Sequence, residues 1–197
     1  MKKIFLSFCF FIIAYVVGAQ NTTLLSFEKK RVAADKTGMT VLGSWAAANM
    51  LVSTIALNSS NREAHYFNEM NIIWNGFNLS LATIGYLHAR KSSFTNSNLT
   101  DVLKHQNKTE KTFLFNAGLD VAYVTGGALL KERSRRKTDP SRLTGYGNAV
   151  MVNGSFLFLF DLAMYLVHRQ HGKQLNNFTN KLQVTGTGAE AAIIYTF

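Results

Sequence analysis

Along the chain, apolar residues gather in long blocks and charged residues fall between them. Four blocks stand out, at residues 38–57, 70–88, 112–130 and 144–167. Each is close to the ~20 residues a helix needs to cross the hydrocarbon core of a bilayer. They run through Leu, Ala, Met and Phe without the alternation of a half-buried strand. The pattern predicts an all-α fold, an integral membrane four-helix bundle. A shorter apolar run at residues 4–17 follows Lys2 and Lys3 and leads into Val17-Gly18-Ala19. A charged start, a short apolar run and small residues are the three parts of a secretory signal peptide. The predicted plan is a signal peptide over 1–19, a basic lead-in with an interfacial helix over 20–37, a four-helix membrane domain over 38–171, and a polar, then extended tail over 172–197. Two readings compete with it: an uncleaved first anchor, and a soluble exported bundle whose blocks are core helices.

The polar residues inside the blocks are regularly placed. In the second, Asn71, Asn75, Asn78, Ala82 and Gly85 fall at alternating steps of four and three, on one helical face. In the third, Asn116, Asp120, Tyr123 and Gly127 do the same. In the fourth, Gly154, Asp161 and His168 are seven apart, with Asn153 beside the first. In the first, Trp45, Asn49 and Ser53 share a face. Such seams place amides against one another inside a bundle, because an amide in hydrocarbon needs a partner. The six asparagines, Asn49, Asn71, Asn75, Asn78, Asn116 and Asn153, read as glue between helices. Asp120 and Asp161 are intramembrane acids, which bind a cation or relay a proton as readily as they brace a fold. These eight residues and His168 form the candidate polar site. The second and fourth blocks also share Asn-Gly and a later Tyr-Leu and His-x-Arg or His-Arg pattern, as a duplicated helical hairpin would leave.

Charge sharpens the membrane reading. The net charge is +10, and Pro140 is the only proline, which suits long helices. The positive residues sit between the blocks, as in loops that meet lipid headgroups, and not along a continuous basic face with aromatic platforms. Nucleic acid is therefore not an expected partner; the bilayer is, together with a protein partner or a second copy. The run Lys131-Glu132-Arg133-Ser134-Arg135-Arg136-Lys137 favours a cytoplasmic third loop with the mature N-terminus outside. The same topology puts Arg90, Lys91, Lys104, Lys108 and Lys111 outside, against the rule. The only cysteine, Cys9, lies within the signal run, so the mature chain has no thiol chemistry.

No phosphate loop, nucleophile elbow or His-Glu-x-x-His motif occurs, and no cofactor, metal or catalytic residue is expected. Gly118-Leu119-Asp120 lacks the glycine that an intramembrane aspartyl protease carries before its acid. His168 and His171, at i and i+3, have metal-ligand spacing, but their place at a block's end predicts solvated side chains. Gly145-Tyr146-Gly147 suggests close packing where the fourth helix begins.

The run Asn116-Ala117-Gly118-Leu119-Asp120-Val121-Ala122-Tyr123 resembles a family of small bacterial membrane proteins of unknown function. So do Gly145-Tyr146-Gly147-Asn148, Phe160-Asp161 and Met39-Thr40-Val41-Leu42-Gly43-Ser44-Trp45. The resemblance covers about residues 38–169. It implies four membrane helices and contributes no functional residues. The sequence thus points to a non-enzymatic multi-pass protein of the bacterial inner membrane, a scaffold or subunit. A cation- or proton-linked transport component is the alternative.

Overall fold

The computed structural model describes the backbone of residues 2–92, 98–180, 182–187 and 190–195, and the side chains of residues 24–92 and 98–175. It contains α1 (Lys2–Ala56), α2 (Arg62–Lys91), α3 (Leu99–Ser134) and α4 (Ser141–Asn180). A hairpin of β1 (Leu182–Thr187) and β2 (Glu190–Tyr195) follows, antiparallel, with Leu182 opposite Tyr195 and Thr187 opposite Glu190. The signal peptide expected over 1–19 falls where side chains lie outside the described residues.

The helices reach well past the apolar blocks, so the loops expected at 58–69, 89–111 and 131–143 are mostly helical. Polar capping explains the extra turns. Asn61 accepts hydrogen bonds from the backbone N–H groups of Glu63 and Ala64, at 2.9 and 3.2 Å. Asn98 accepts one from Asp101 N–H at 2.8 Å. Both caps satisfy helix donors, and Glu63 and Asp101 add negative charge where the helix dipole favours it. Pro140 stands just ahead of α4, where its fixed φ does no harm, and its carbonyl accepts from Thr144 N–H at 3.0 Å. The tail is helical to Asn180 before it becomes extended.

Two antiparallel hairpins, α1–α2 and α3–α4, meet where α2 packs on α4. These two central helices run parallel, for Gly145 lies against Glu63 and Asn153 against Asn75. The glycines at the start of α4 set the spacing. A Cβ on Gly145 would sit 2.5 Å from Glu63 O, and one on Gly147 would sit 2.6 Å from Gly127 O. Any side chain there would drive α4 off α2 or off α3. At the other end, Leu24 and Phe27 of α1 pack with Val102 and Leu175. The lead-in is therefore part of α1, with Leu24 and Phe27 seated on α3 and α4.

Burial runs opposite to that of a water-soluble bundle. The largest fully buried side chains include His168, Asn75, Asn153 and Ser53, with Val102 among them. Ile55, Phe77, Leu51, Phe115, Ile84 and Leu159 lie outside, Ile55 at 84% exposure. Polar residues are normally the exposed ones and large aliphatics the buried ones. Three helical stretches, Leu24–Ala56, Leu99–Ser134 and Ser141–Leu175, are long and apolar enough to cross a membrane. α2 is not among them, because Asn68, Asn71, Asn75 and Asn78 all turn inward from it.

Candidate functional site

The seams predicted from spacing meet in the bundle as two groups. The first joins α1, α2 and α4 through amides. Asn71 is its hub: its Nδ2 donates to Ser53 Oγ at 2.7 Å and reaches Asn49 Oδ1 at 3.4 Å. Its Oδ1 accepts from Asn75 Nδ2 at 3.0 Å and from Asn153 Nδ2 at 2.6 Å. Asn75 Nδ2 also donates to Asn153 Oδ1 at 2.9 Å, closing a three-amide ring across α2 and α4. Asn49 stands at the edge, with its own Nδ2 donating to Trp45 O. Each amide has two donors and an acceptor, so such a ring locks both register and rotation of the two central helices.

The second group lies where α2 and α3 face each other across α4. Asp120 of α3 and Asp161 of α4 are both buried, and their carboxyls are hydrogen-bond neighbours; Asn116 is a further neighbour of Asp161. Among the described residues, Asp120 Oδ2 has no N–H or hydroxyl donor. It is therefore a buried acceptor left free beside the Asp161 carboxyl. Asn78 lines the same cleft as the two acids and takes no part in the amide ring; its Nδ2 is buried without an acceptor. Beside these residues a cleft of about 720 Å³ opens between α2 and α3. Its walls include Ile73, Phe77, Leu81, Leu119 and Tyr123, and its floor Leu157, Phe160 and Asp161. The backbones of α2 and α3 do not pack, and Trp74 and Tyr123 bridge them edge to face at 5.0 Å.

His168 belongs to neither group. The expectation of solvated histidines fails here, because α1 extends over this end of α4. His168 is fully buried, stacked on Phe113 with ring centroids 5.5 Å apart. Its Nε2 lies 3.1 Å from Asp35 Oδ1, without the alignment of a hydrogen bond. His171 turns the other way, stacking on Phe27 with its Nε2 3.0 Å from Phe27 O. The two do not converge on a common point. Among the described residues, no three His, Cys, Asp or Glu side chains gather as a metal site.

Sequence reasoning missed the cluster that holds Asp35. Arg31 donates to both Glu28 oxygens, at 3.0 and 2.9 Å, and to Asp35 at 3.2 Å, with the Arg31 and Glu28 side chains about nine-tenths buried. The signal was present: Glu28, Arg31 and Asp35 are spaced i, i+3 and i+7, the spacing of neighbours on one face. Gln106 was missed as well; its Nε2 ties α3 to α4 through His168 O at 2.6 Å and also donates to Glu110 on its own helix.

The model of a family described as a family of unknown function, DUF6992, matches residues 41–162. That stretch contains the amide ring, both aspartates and the whole cleft floor. No curated protein and no solved structure matches the chain.

Proposed function

The chain belongs to this family of unknown function, and we propose that it is a non-enzymatic multi-pass membrane subunit, braced from inside by amides. The observation that carries the reading is the inversion of polarity: Asn75 and Asn153 are wholly buried while Leu51, Ile55 and Phe77 are exposed. In water, that arrangement would leave a wide apolar surface unpaired. In lipid it is the economical one, since hydrocarbon covers the outside and the amides of Asn71, Asn75 and Asn153 find partners in one another. α2 then makes the fourth crossing, presenting Ile73, Phe77, Leu81 and Ile84 outward and its asparagines inward. We place the protein in the bacterial inner membrane, exported with a cleaved signal, where it acts as scaffold for a partner subunit or a second copy.

Fractionation of cells making the tagged chain tests this. The protein should stay with the inner membrane after an alkaline carbonate wash, at the size of the chain without residues 1–19. Release by carbonate would overturn the membrane reading. Asp120→Asn with Asp161→Asn should leave folding intact, because an amide can take either role in that pair. A second reading, proton- or cation-linked transport, is favoured by one observation: Asp161 and His168 both turn inward from α4, each beside an acid. Between them lie Phe113 and Phe160, which pack together as apolar core. Proteoliposomes with no proton or cation flux at any pH would remove this reading.

A further inference from the structure

We infer that the cleft between α2 and α3 is a binding site for an uncharged amphiphile, its hydroxyl head held by Asn78 and the Asp120–Asp161 pair. The inference rests on the membrane reading above and adds a ligand to it.

Four observations select this occupant. First, the floor offers both halves of a hydroxyl's needs. Asn78 Nδ2 is a donor with no acceptor, on a residue only 5% exposed. Asp120 Oδ2, on a residue 3% exposed, is an acceptor that no donor reaches. A hydroxyl accepts from the first and donates to the second. Second, the lining contains no Lys, Arg or His, so a fatty acid or phosphate head would meet two acids and no counter-charge. An ammonium head has three donors and nothing to accept the Asn78 hydrogen. Third, Asn78 and Asp120 lie near the middle of the apolar stretches 70–88 and 112–130. Phospholipid headgroups stay at the bilayer surface and do not reach that depth. Fourth, the way in is lateral and greasy: Phe77, Leu81 and Ile84 at the mouth are all more than 60% exposed. A volume of about 720 Å³ has room for a chain of lipid length behind a small head.

The test uses the full chain in phosphatidylcholine nanodiscs and two photoreactive probes, a diazirine-bearing hexadecanol and its methyl ether. The ether keeps the chain and an acceptor but loses the donor. Carbonate extraction is run first on the source membranes. Protein that washes off removes the membrane reading and the site with it. Protein that stays is then labelled and the adducts mapped by mass spectrometry. The alcohol should label residues of the cleft walls, such as Phe77 and Leu119, and label them about fivefold more than the ether does, the scale of one lost hydrogen bond. Replacing the acceptors, Asp120→Leu with Asp161→Leu, should erase the difference between the probes, whereas Asn78→Leu should weaken labelling by both. Leu81→Trp, which obstructs the mouth without touching the polar floor, should reduce labelling by both. Equal labelling by alcohol and ether in the parent overturns the proposal and leaves a cleft filled by any lipid chain. Adducts spread over Leu51 and Leu159, or a second copy found in the cleft by cross-linking, overturn it too.

Discussion

Asn71→Leu is the perturbation that most directly weighs the amide ring. Leucine keeps the volume and the helix propensity but removes both polar ends. Three short bonds disappear, to Ser53 at 2.7 Å, from Asn75 at 3.0 Å and from Asn153 at 2.6 Å. The partners are not left wholly bare. Asn75 Nδ2 keeps Asn153 Oδ1 and the backbone carbonyl of residue 71, and Asn153 Nδ2 keeps Ala149 O. The loss is therefore near the sum of two interhelical bonds and one within α2, at about 0.6 kcal/mol each, or roughly 2 kcal/mol. For a chain of this size that lowers Tm by roughly 4–8 °C. Asn49→Ala is the internal control. Its only tie to the ring spans 3.4 Å and its Nδ2 bonds within its own helix, so it should cost under about 0.5 kcal/mol. Unfolding by SDS in mixed micelles, followed by helical circular dichroism, measures both. If Asn71→Leu unfolds at the same SDS fraction as the parent, or no sooner than Asn49→Ala, the ring is not what holds α2 against α4.

Two glycines should respond in opposite directions in the same assay. Gly127→Ala places a Cβ 2.7 Å from Gly147 O and should destabilise by about 1–3 kcal/mol as α3 and α4 separate. Gly76→Ala meets nothing within 4 Å and should stabilise α2 by about 0.5–1 kcal/mol. At the turn into α4, hydrogen bonds from Ser141, aided by Arg62 2.7 Å away, hold the Asp139 carboxyl below its ordinary value of 3.8. A lowered acid contributes above its unfolded value and loses that contribution as pH falls through the folded one. The stability difference between parent and Asp139→Asn should thus be constant from neutral pH to about 5 and shrink only below about 4; a difference that changes near neutral pH would refute the assignment.

How much of this was legible beforehand follows from what spacing encodes. The steps of four and three that align Asn71, Asn75 and Asn78 fix a helical face, and all three are buried on that face. Seven-residue spacing did the same for Gly154, Asp161 and His168. A face, however, does not name its partner. Nothing in the spacing told that Asn75 would meet Asn153 while Asn78, one turn on, would line the cleft of the aspartates instead. That division depends on how α4 crosses α2, which Gly145 sets by admitting the backbone of Glu63. Helix ends were misplaced for a different reason. Apolar blocks mark what lipid or core covers, whereas Asn61 and Asn98 mark where the backbone begins to coil. The histidines were misjudged because α1, one continuous helix, covers the end of α4 with Phe27 and Asp35, a long-range contact that no local pattern announces.

The hairpin likeness between the second and fourth blocks acquires a physical meaning in the bundle. Asn75 and Asn153, paired by that likeness, bond to each other across the α2–α4 contact, as equivalent residues beside a local two-fold axis do. The same offset relates Trp45 to Tyr123, and each crosses to the other hairpin, Trp45 stacking on Phe156 at 3.9 Å and Tyr123 edging Trp74. Symmetry then predicts two equal seams, one between α1 and α4 and one between α3 and α2. They are not equal. The first is closed: α1 packs on α4, and Gly38 lies against Met164 so tightly that a Cβ would fall 2.5 Å from its methyl group. The second is open, and the position of Leu42 in the closed half is taken in the open half by Asp120. An apolar residue that seals one seam is thus replaced by an acid that leaves the other unsealed. Two acids and an unpaired amide at the base of an open seam weaken a bundle that could have closed symmetrically, and that cost is explicable if the opening is the working part of the molecule.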